Sequence, residues 1–138
     1  MDGSPLLRLV DAVTIPVPNL DDGLRFYCDR LGHQLLWRND AVGQAGLVLP
    51  DSTTEIVLAT EVEYAPSWLV TSVDQALDRI TAAGGRVVHA PRDIPVGRLA
   101  VVADPFGNRL VLLDLCRGRY VTNADHEVVA VERPPAPT

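Results

Sequence analysis

An internal repeat constrains the fold of this 138-residue chain more than any other feature. In each copy, a strand-like apolar segment is followed by a helix-like segment, a glycine and further apolar strands. Two copies of about 55 residues fill most of the chain, which indicates one domain of paired modules rather than a long array. The matching strand, helix and closing-strand segments are 12–17, 19–31 and 54–58 in the first copy and 68–73, 74–83 and 108–112 in the second.

Capping residues mark the helix of each copy. Asn19 is a good N-cap, and Gly32 ends the helical periodicity of apolar residues that begins at residue 20. In the second copy, Ser72 and Gln75 have the spacing of a capping box, and Gly84 ends the helix. The order strand, helix, three strands, taken twice, predicts an α+β fold. The three strands after each helix are predicted at 33–38, 44–49 and 55–60 and at 86–90, 98–103 and 109–115.

Composition and charge narrow the range of partners. A hydrophobic content of 47% is sufficient for a packed core, and no continuous apolar run is long enough to cross a bilayer. The formal net charge of -6 at pH 7 repels phosphate backbones and anionic lipid. Cys28 and Cys116 have neither the number nor the spacing of a disulfide framework or a metal site. We therefore expect a soluble cytoplasmic protein that binds neither nucleic acid nor membranes.

The end of the chain lies beyond the repeat. Residues 120–122 and 128–131 are apolar, flank a polar segment and are typical of an appended hairpin. The Pro-rich residues 133–138 are expected to be disordered. The sequence thus predicts a single domain over residues 1–138, with repeats at about 10–60 and 67–115 and a C-terminal tail and hairpin over 116–138. The tail is interpreted as a packing or dimer element.

Short motifs occur in a fixed order along the repeat. They are Val17-Pro18-Asn19-Leu20, Arg25-Phe26-Tyr27, Leu31-Gly32, Ala82-Ala83-Gly84-Gly85 and Asp104-Pro105-Phe106-Gly107-Asn108. With these motifs the sequence resembles the vicinal oxygen chelate superfamily, which includes glyoxalase I, extradiol dioxygenases and bleomycin-binding resistance proteins. The resemblance covers residues from about 10 to 115. It implies two βαβββ modules that form a cup-shaped, half-open barrel of mixed sheet, and it favours a homodimer.

The resemblance also implies where a metal would be held. Metal-dependent members place His, Gln or Glu at four positions of the cup, and these correspond here to Ala12, Val57, Trp68 and Val111. None of these side chains ligates a metal. Asp11 and Glu55 lie nearby in sequence, but both are interpreted as solvent-facing. We therefore expect no metal and no cofactor.

An apolar cup favours binding of an organic molecule. The expected function is metal-independent binding of an aromatic or polyketide-like ligand, for sequestration or antibiotic resistance. One alternative is a metal-free lyase, isomerase or cyclase acting on a small carbonyl-containing metabolite, in which Arg98 polarises an oxygen and Asp11, Glu55 or His89 moves a proton. Another is a purely structural interaction module. The candidate ligand-binding residues are Trp37, Trp68, Arg98, Val57, Val111, Thr14, Tyr64 and Phe106, with Trp37 assigned the same strand face as Leu35.

Overall fold

The computed structural model describes residues 3–133. The chain divides into two compact units. We call Asp11–Pro66 with Tyr120–Ala130 the N-module, and the unit built on Ser67–Arg119 the C-module. The strands are β1 (Leu9–Pro16), β2 (Leu35–Asn39), β3 (Gln44–Val48), β4 (Glu55–Ala59), β5 (Ala65–Leu69), β6 (Arg86–Ile94), β7 (Gly97–Ala103), β8 (Arg109–Asp114), β9 (Arg119–Thr122) and β10 (Val128–Glu132), and the helices are α1 (Leu20–Leu24) and α2 (Val73–Ala82).

The N-module has strand order β2-β3-β4-β1. β1 and β4 are parallel, whereas β4, β3 and β2 are antiparallel neighbours. Helix α1 is followed by a π-helical segment, Arg25–Arg30, where a single continuous α-helix is predicted from the sequence. One face of the sheet is covered by this helical segment, because Ala45, Leu47 and Leu58 pack with Leu20 in one buried apolar cluster.

The C-module repeats the same arrangement. Its strand order is β5-β8-β7-β6, with β5 parallel to β8 and the other pairs antiparallel. Helix α2 packs through Val73 and Ala76 onto Ala100, Val102 and Leu112 of the sheet, and these residues form a second buried cluster. The α+β class and the βαβββ order of both modules are confirmed.

Capping begins both helices as the sequence predicts. The Asn19 side chain accepts a hydrogen bond from the Asp22 N–H at 2.8 Å, and the Ser72 hydroxyl accepts from the Gln75 N–H at 3.3 Å. A third interaction is not apparent from sequence, because it joins residues 41 apart: the Asp114 carboxylate of β8 accepts from the Val73 N–H at 2.9 Å. This bond fixes the start of α2 to the sheet.

Asp114 is 3% exposed and also accepts from the backbone N–H groups of Arg98 and Cys116. Burial raises the pKa of this carboxyl, but the hydrogen bonds from Val73, Cys116 and Arg98 outweigh burial, and the net pKa lies below its ordinary value. The carboxylate therefore ties β7, β8 and α2 together while it is ionised.

β5 and β6 are among the strands whose bounds differ from the sequence expectation. β6 continues past Pro91 to Ile94, where a break at residue 90 is predicted. It can do so because its register shifts between His89 and Arg92 and because it is the outermost strand of its sheet, where a missing N–H is tolerated. β5 ends earlier than predicted, because Ser72 already serves as the helix cap, and it also begins earlier, at Ala65.

β9 and β10 form the expected two-stranded hairpin. Of the Pro-rich segment predicted to be disordered, residues 134–138 lie outside the described residues. Within residues 3–133, no helix is long and apolar enough to cross a membrane.

Candidate functional site

The face of the N-module sheet opposite α1 carries the candidate site, and we call it the helix-free face. Thr14 is paired with Val57, Val57 with Gly46, and Gly46 with Trp37. Residues paired in this way present their side chains on the same face of a sheet. Three of the predicted ligand-binding residues, Thr14, Val57 and Trp37, therefore lie in one row across four strands.

The Trp37 indole lies over Gly46, the one residue of the row without a side chain. A Cβ added to Gly46 would lie within 2.1 Å of the indole Nε1 and 2.4 Å of Cε2, so only glycine leaves room for the ring. The indole N–H crosses the strand and donates to Glu55 Oε1 of β4 at 2.7 Å. Trp37, Gly46 and Glu55 thus form one assembled unit.

A β-bulge places Trp37 on this face. The β2–β3 register shifts between Leu35 and Trp37, so Leu35 is paired with Leu47 and packs on the helix side. The prediction that Trp37 shares the face of Leu35 is therefore wrong, because the extra residue of the bulge inverts the alternation. The Trp37 side chain nevertheless lies on the helix-free face, beside Gly46.

Glu55 is interpreted from the sequence as solvent-facing, and it is a candidate proton carrier only in the alternative enzyme. It is half-buried rather than fully solvent-facing, and it lies on the same face as Val57 because side chains two residues apart on a strand point the same way. That spacing was the available signal. Asp11, in contrast, is adjacent to Ala12 on β1 and so faces the opposite side of the sheet.

The C-terminal hairpin contributes an aromatic ring to the site. The Tyr120 ring lies 4.8 Å from the Trp37 ring, centroid to centroid, at an interplanar angle of 54°. The Asn39 amide donates to the Tyr120 hydroxyl at 3.4 Å, and the Arg38 N–H donates to the His126 carbonyl at 2.8 Å. Burial raises the pKa of the Tyr120 hydroxyl, and the bond from Asn39 opposes it. Trp37 is consequently buried, with 9% of its surface exposed.

In the C-module, Trp68 and Val111 lie on opposite faces. Val111 is paired with Ser67, whereas Trp68 is paired with Leu112 and packs against the buried cluster beneath α2. The prediction that Trp68 lines the same surface as Val111 is wrong for this reason. Trp68 is a helix-side packing residue.

Arg98 also lies on the helix side. Arg98 is two residues before Ala100 on β7, so both side chains point to the face that α2 covers. The Arg98 guanidinium forms ion pairs with Asp93 at 2.8 Å and with Asp74 of α2 at 3.4 Å. The pKa of Arg98 is raised, because these acidic partners outweigh the opposing effect of desolvation. The expected orientation of Arg98 into a ligand site is therefore not observed, since two carboxylates already hold it.

The two rim candidates are exposed. Tyr64 is 69% exposed in the segment before β5, and Phe106 is 85% exposed in the turn between β7 and β8. Asp104 organises that turn by accepting from the Phe106 and Asn108 N–H groups, both at 2.9 Å. His89, the remaining candidate for proton transfer, is exposed and paired with Val101.

Comparison with known proteins decides the family. The model of the glyoxalase/bleomycin resistance protein/dioxygenase superfamily matches residues 9–112. The chain belongs to this superfamily. A curated uncharacterized protein of Mycolicibacterium smegmatis is 35% identical over 108 residues, which is 74% of this chain and 90% of that protein.

Solved structures of the superfamily's fold are also similar to the chain. Methylmalonyl-CoA epimerase from Mycobacterium tuberculosis has 25% identity and a TM-score of 0.65, covering 83% of this chain and 92% of that one. A methylmalonyl-CoA epimerase from Streptomyces coelicolor has 20% identity and a TM-score of 0.62, covering 78% and 97%. The second likeness is one of fold alone.

Among the described residues, those at the positions that the resemblance assigns to metal ligands do not fit a divalent ion. The four positions that the resemblance assigns to ligands carry Ala12, Val57, Trp68 and Val111, and Trp68 additionally faces away from Val111. Within the described part of the chain, no group of three or more His, Cys, Asp or Glu side chains could hold an ion. A transition-metal site requires several such ligands converging on one point.

Proposed function

We propose that this superfamily member is a metal-independent small-molecule-binding protein whose ligand lies on the helix-free face of the N-module. One observation carries the proposal: on this face the apolar side chains of Val57 and Ala12 adjoin Thr14 and the Glu55 carboxylate, which accepts from the Trp37 indole. Ligand sites combine mainly apolar lining with a few placed polar groups in this way.

The ligand we propose is an aromatic or polyketide-like compound, bound for sequestration or resistance by a cytoplasmic homodimer. Val57 offers an apolar surface, while the Trp37 ring is largely covered by Tyr120. The ligand therefore contacts the Val57 end of the row rather than stacking on both faces of Trp37. Tyr64 of the same module remains a proposed contact, Phe106 and Val111 of the C-module stay predictions from the sequence, and light scattering of the purified protein tests the dimer.

Substitution of Val57 tests the location. A thermal-shift screen of planar aromatic and polyketide compounds identifies binders, whose affinities are then measured by calorimetry. Val57→Arg places a charged side chain in the row and is expected to abolish binding, because the guanidinium fills apolar space and loses hydration there. Val129→Arg, at a valine that is 61% exposed in the hairpin, is the matched control. Equal affinity of the two variants would contradict the proposal.

A second candidate function is a metal-free isomerase, lyase or cyclase acting on a small carbonyl compound. Glu55 favours it, because a half-buried carboxylate on the site face can accept a proton from a carbon next to a carbonyl and return it. Likeness to methylmalonyl-CoA epimerase supports the isomerase reaction type. Solvent deuterium incorporation into a candidate substrate, measured by NMR, should be lost in Glu55→Gln and kept in Glu63→Gln; incorporation unchanged by Glu55→Gln would exclude this role.

A further inference from the structure

The C-terminal hairpin places an aromatic ring on the Trp37 end of the row. The half-buried Tyr120 ring lies 4.8 Å from the Trp37 ring. Its hydroxyl accepts from the Asn39 amide at 3.4 Å, which is longer than an ordinary hydrogen bond. The Trp37 ring lies over Gly46, whose other paired neighbour is Val57. Tyr120 thus covers the ring that adjoins the Val57 end of the row.

Residues 120–130, which we call the hairpin tip, are attached to the N-module outside its main sheet. β9 and β10 form a two-stranded sheet of their own. Among the described residues, one isolated bridge joins this hairpin to β2, between Arg38 and Glu127, and there the Arg38 N–H donates to the His126 carbonyl at 2.8 Å. One bridge holds a hairpin less firmly than the ladder of bonds within a sheet holds a strand, so the tip can open at a lower free energy than the sheet.

The hairpin tip is braced internally. The Asn123 side-chain carbonyl accepts from the Asp125 N–H at 2.9 Å and from the Glu127 N–H at 3.0 Å. The Asn123 backbone N–H also donates to the Glu127 carbonyl at 3.0 Å. These bonds lie within the tip and do not depend on its contact with β2. The tip can therefore lift as one body and carry Tyr120 away from Trp37.

The tethered Tyr120 ring does not use the Trp37 surface fully. Aromatic pairs favour offset-stacked or edge-to-face arrangements, whereas the Tyr120 and Trp37 rings are tilted at 54°. The hairpin backbone restricts where Tyr120 can lie, but a free ring is not restricted in this way. A planar ring of a ligand can therefore stack on the indole at least as well as Tyr120 does.

We infer that the surface on which Tyr120 rests is an aromatic subsite, and that a planar ring of the ligand replaces the Tyr120 ring when the hairpin tip lifts. This inference rests on the proposed function and specifies its ligand. A flat aromatic ring lies against the Trp37 indole, and the remaining apolar body covers Val57. Tyr120 is then an internal competitor, which lowers the apparent affinity according to the fraction of molecules in which it occupies the subsite.

Removal of the Tyr120 ring tests the subsite. The probe is p-cresol, which is the tyrosine side chain without its backbone, titrated into the complete chain. Binding is followed by the Trp37 indole N–H signal in a ¹⁵N-correlated spectrum, with the Trp68 signal as reference, because the chain contains only two tryptophans. Tyr120→Ala should bind p-cresol about three- to tenfold more tightly than the parent, since an intramolecular ring contact no longer competes. Val129→Ala, at a valine that is 61% exposed in the same hairpin, should bind like the parent.

A saturated analogue tests the chemical class of the ligand. 4-Methylcyclohexanol has the size and the hydroxyl group of p-cresol but no flat face. It should gain less affinity than p-cresol from Tyr120→Ala, because it cannot stack on the indole. Equal gains for the two compounds would overturn the assignment of an aromatic subsite.

Displacement of Tyr120 is measured in the parent protein, so this test does not depend on the folding of a variant. Fluorotyrosine labelling gives three ¹⁹F signals, from Tyr27, Tyr64 and Tyr120. The Tyr120 signal is assigned by its loss in Tyr120→Ala. It should move towards the position of an exposed tyrosine as p-cresol is added, while the signal of Tyr27, which packs on the helix side, stays in place.

Two further results would overturn the inference. A p-cresol affinity in Tyr120→Ala that is equal to or below that of the parent would make Tyr120 a wall of the site rather than a competitor. A Tyr120 signal that stays in place while p-cresol saturates the Trp37 signal would show that the ring is not displaced. If a compound from the thermal-shift screen is still lost in Val57→Arg, the proposed function stands after either result. Retention of that compound in Val57→Arg refutes the proposed location, whatever p-cresol does.

Discussion

Replacement of Gly46 by alanine tests the assembled unit of Trp37, Gly46 and Glu55. The added Cβ would lie 2.1 Å from Nε1, 2.4 Å from Cε2 and 2.7 Å from Cδ1 of the Trp37 ring. Separations below 3.0 Å are not sustained by carbon atoms, so the ring must move. Its displacement also breaks the 2.7 Å bond to Glu55.

The expected cost combines two effects. Overpacking of a well-packed site costs about 1–3 kcal/mol, and loss of a hydrogen bond to a charged group adds roughly 1.5 kcal/mol, at the low end because Glu55 is half-exposed. Gly46→Ala should therefore lower the free energy of unfolding by about 2.5–4.5 kcal/mol. For a chain of this size, that corresponds to a fall in Tm of roughly 8–14 °C.

Urea denaturation of a double-mutant cycle measures the effect. In the Trp37→Leu background the ring is absent, and Gly46→Ala should cost less than about 1 kcal/mol, so the two changes couple strongly. Gly3→Ala is the control, because a Cβ there meets no atom within 4 Å. Additive free energies, or a Gly46→Ala protein as stable as the parent, would refute the reasoning.

Three further predictions concern other residues. The pKa of Asp114 lies below its ordinary value of 3.8, so its stabilisation is complete above about pH 4 and is lost as the pH falls through the folded pKa. Asp114→Asn should cost about 1–3 kcal/mol at pH 7 and less in acid, as measured by urea denaturation at both pH values; an equal cost at both would contradict this. Gly97→Ala should destabilise by more than about 2 kcal/mol, because its Cβ would meet the Asp114 carbonyl oxygen at 2.1 Å; a parent-like denaturation midpoint would refute the contact. Trp68→Ala should lower stability by about 3 kcal/mol, at the low end for a Trp truncation because the side chain is half-buried. Ligand affinity measured by calorimetry should be unchanged, and a loss of affinity would return Trp68 to the site.

The modules could be predicted from the sequence because their signals are local. Capping residues and apolar periodicity act within a few positions, and the observed helix starts at Asn19 and Ser72 follow them. The repeat also placed Val57 on the face where the structure has it. These features depend on strand and helix geometry that each segment satisfies by itself.

The candidate site was harder to predict from the sequence, because its contacts depend on strand register. A one-residue bulge turns Trp37 to the sheet face opposite that of Leu35, and the pairing of Trp68 with Leu112 turns Trp68 to the face opposite that of Val111. Nothing in the local sequence specifies either register. Tyr120 contacts Trp37 although the two residues are 83 positions apart in the sequence, so no local sequence pattern predicts the contact. Glu55 was interpreted as solvent-facing, although its two-residue spacing from Val57 was a visible signal that the two side chains share a face.

Mass spectrometry of the native protein, combined with metal analysis of the same sample, tests the central claim most directly. Protein purified without added metal or chelator should carry a small organic molecule and less than stoichiometric divalent metal, and the molecule should be absent from Val57→Arg. Stoichiometric metal that is retained in the native protein and required for ligand binding would contradict the account.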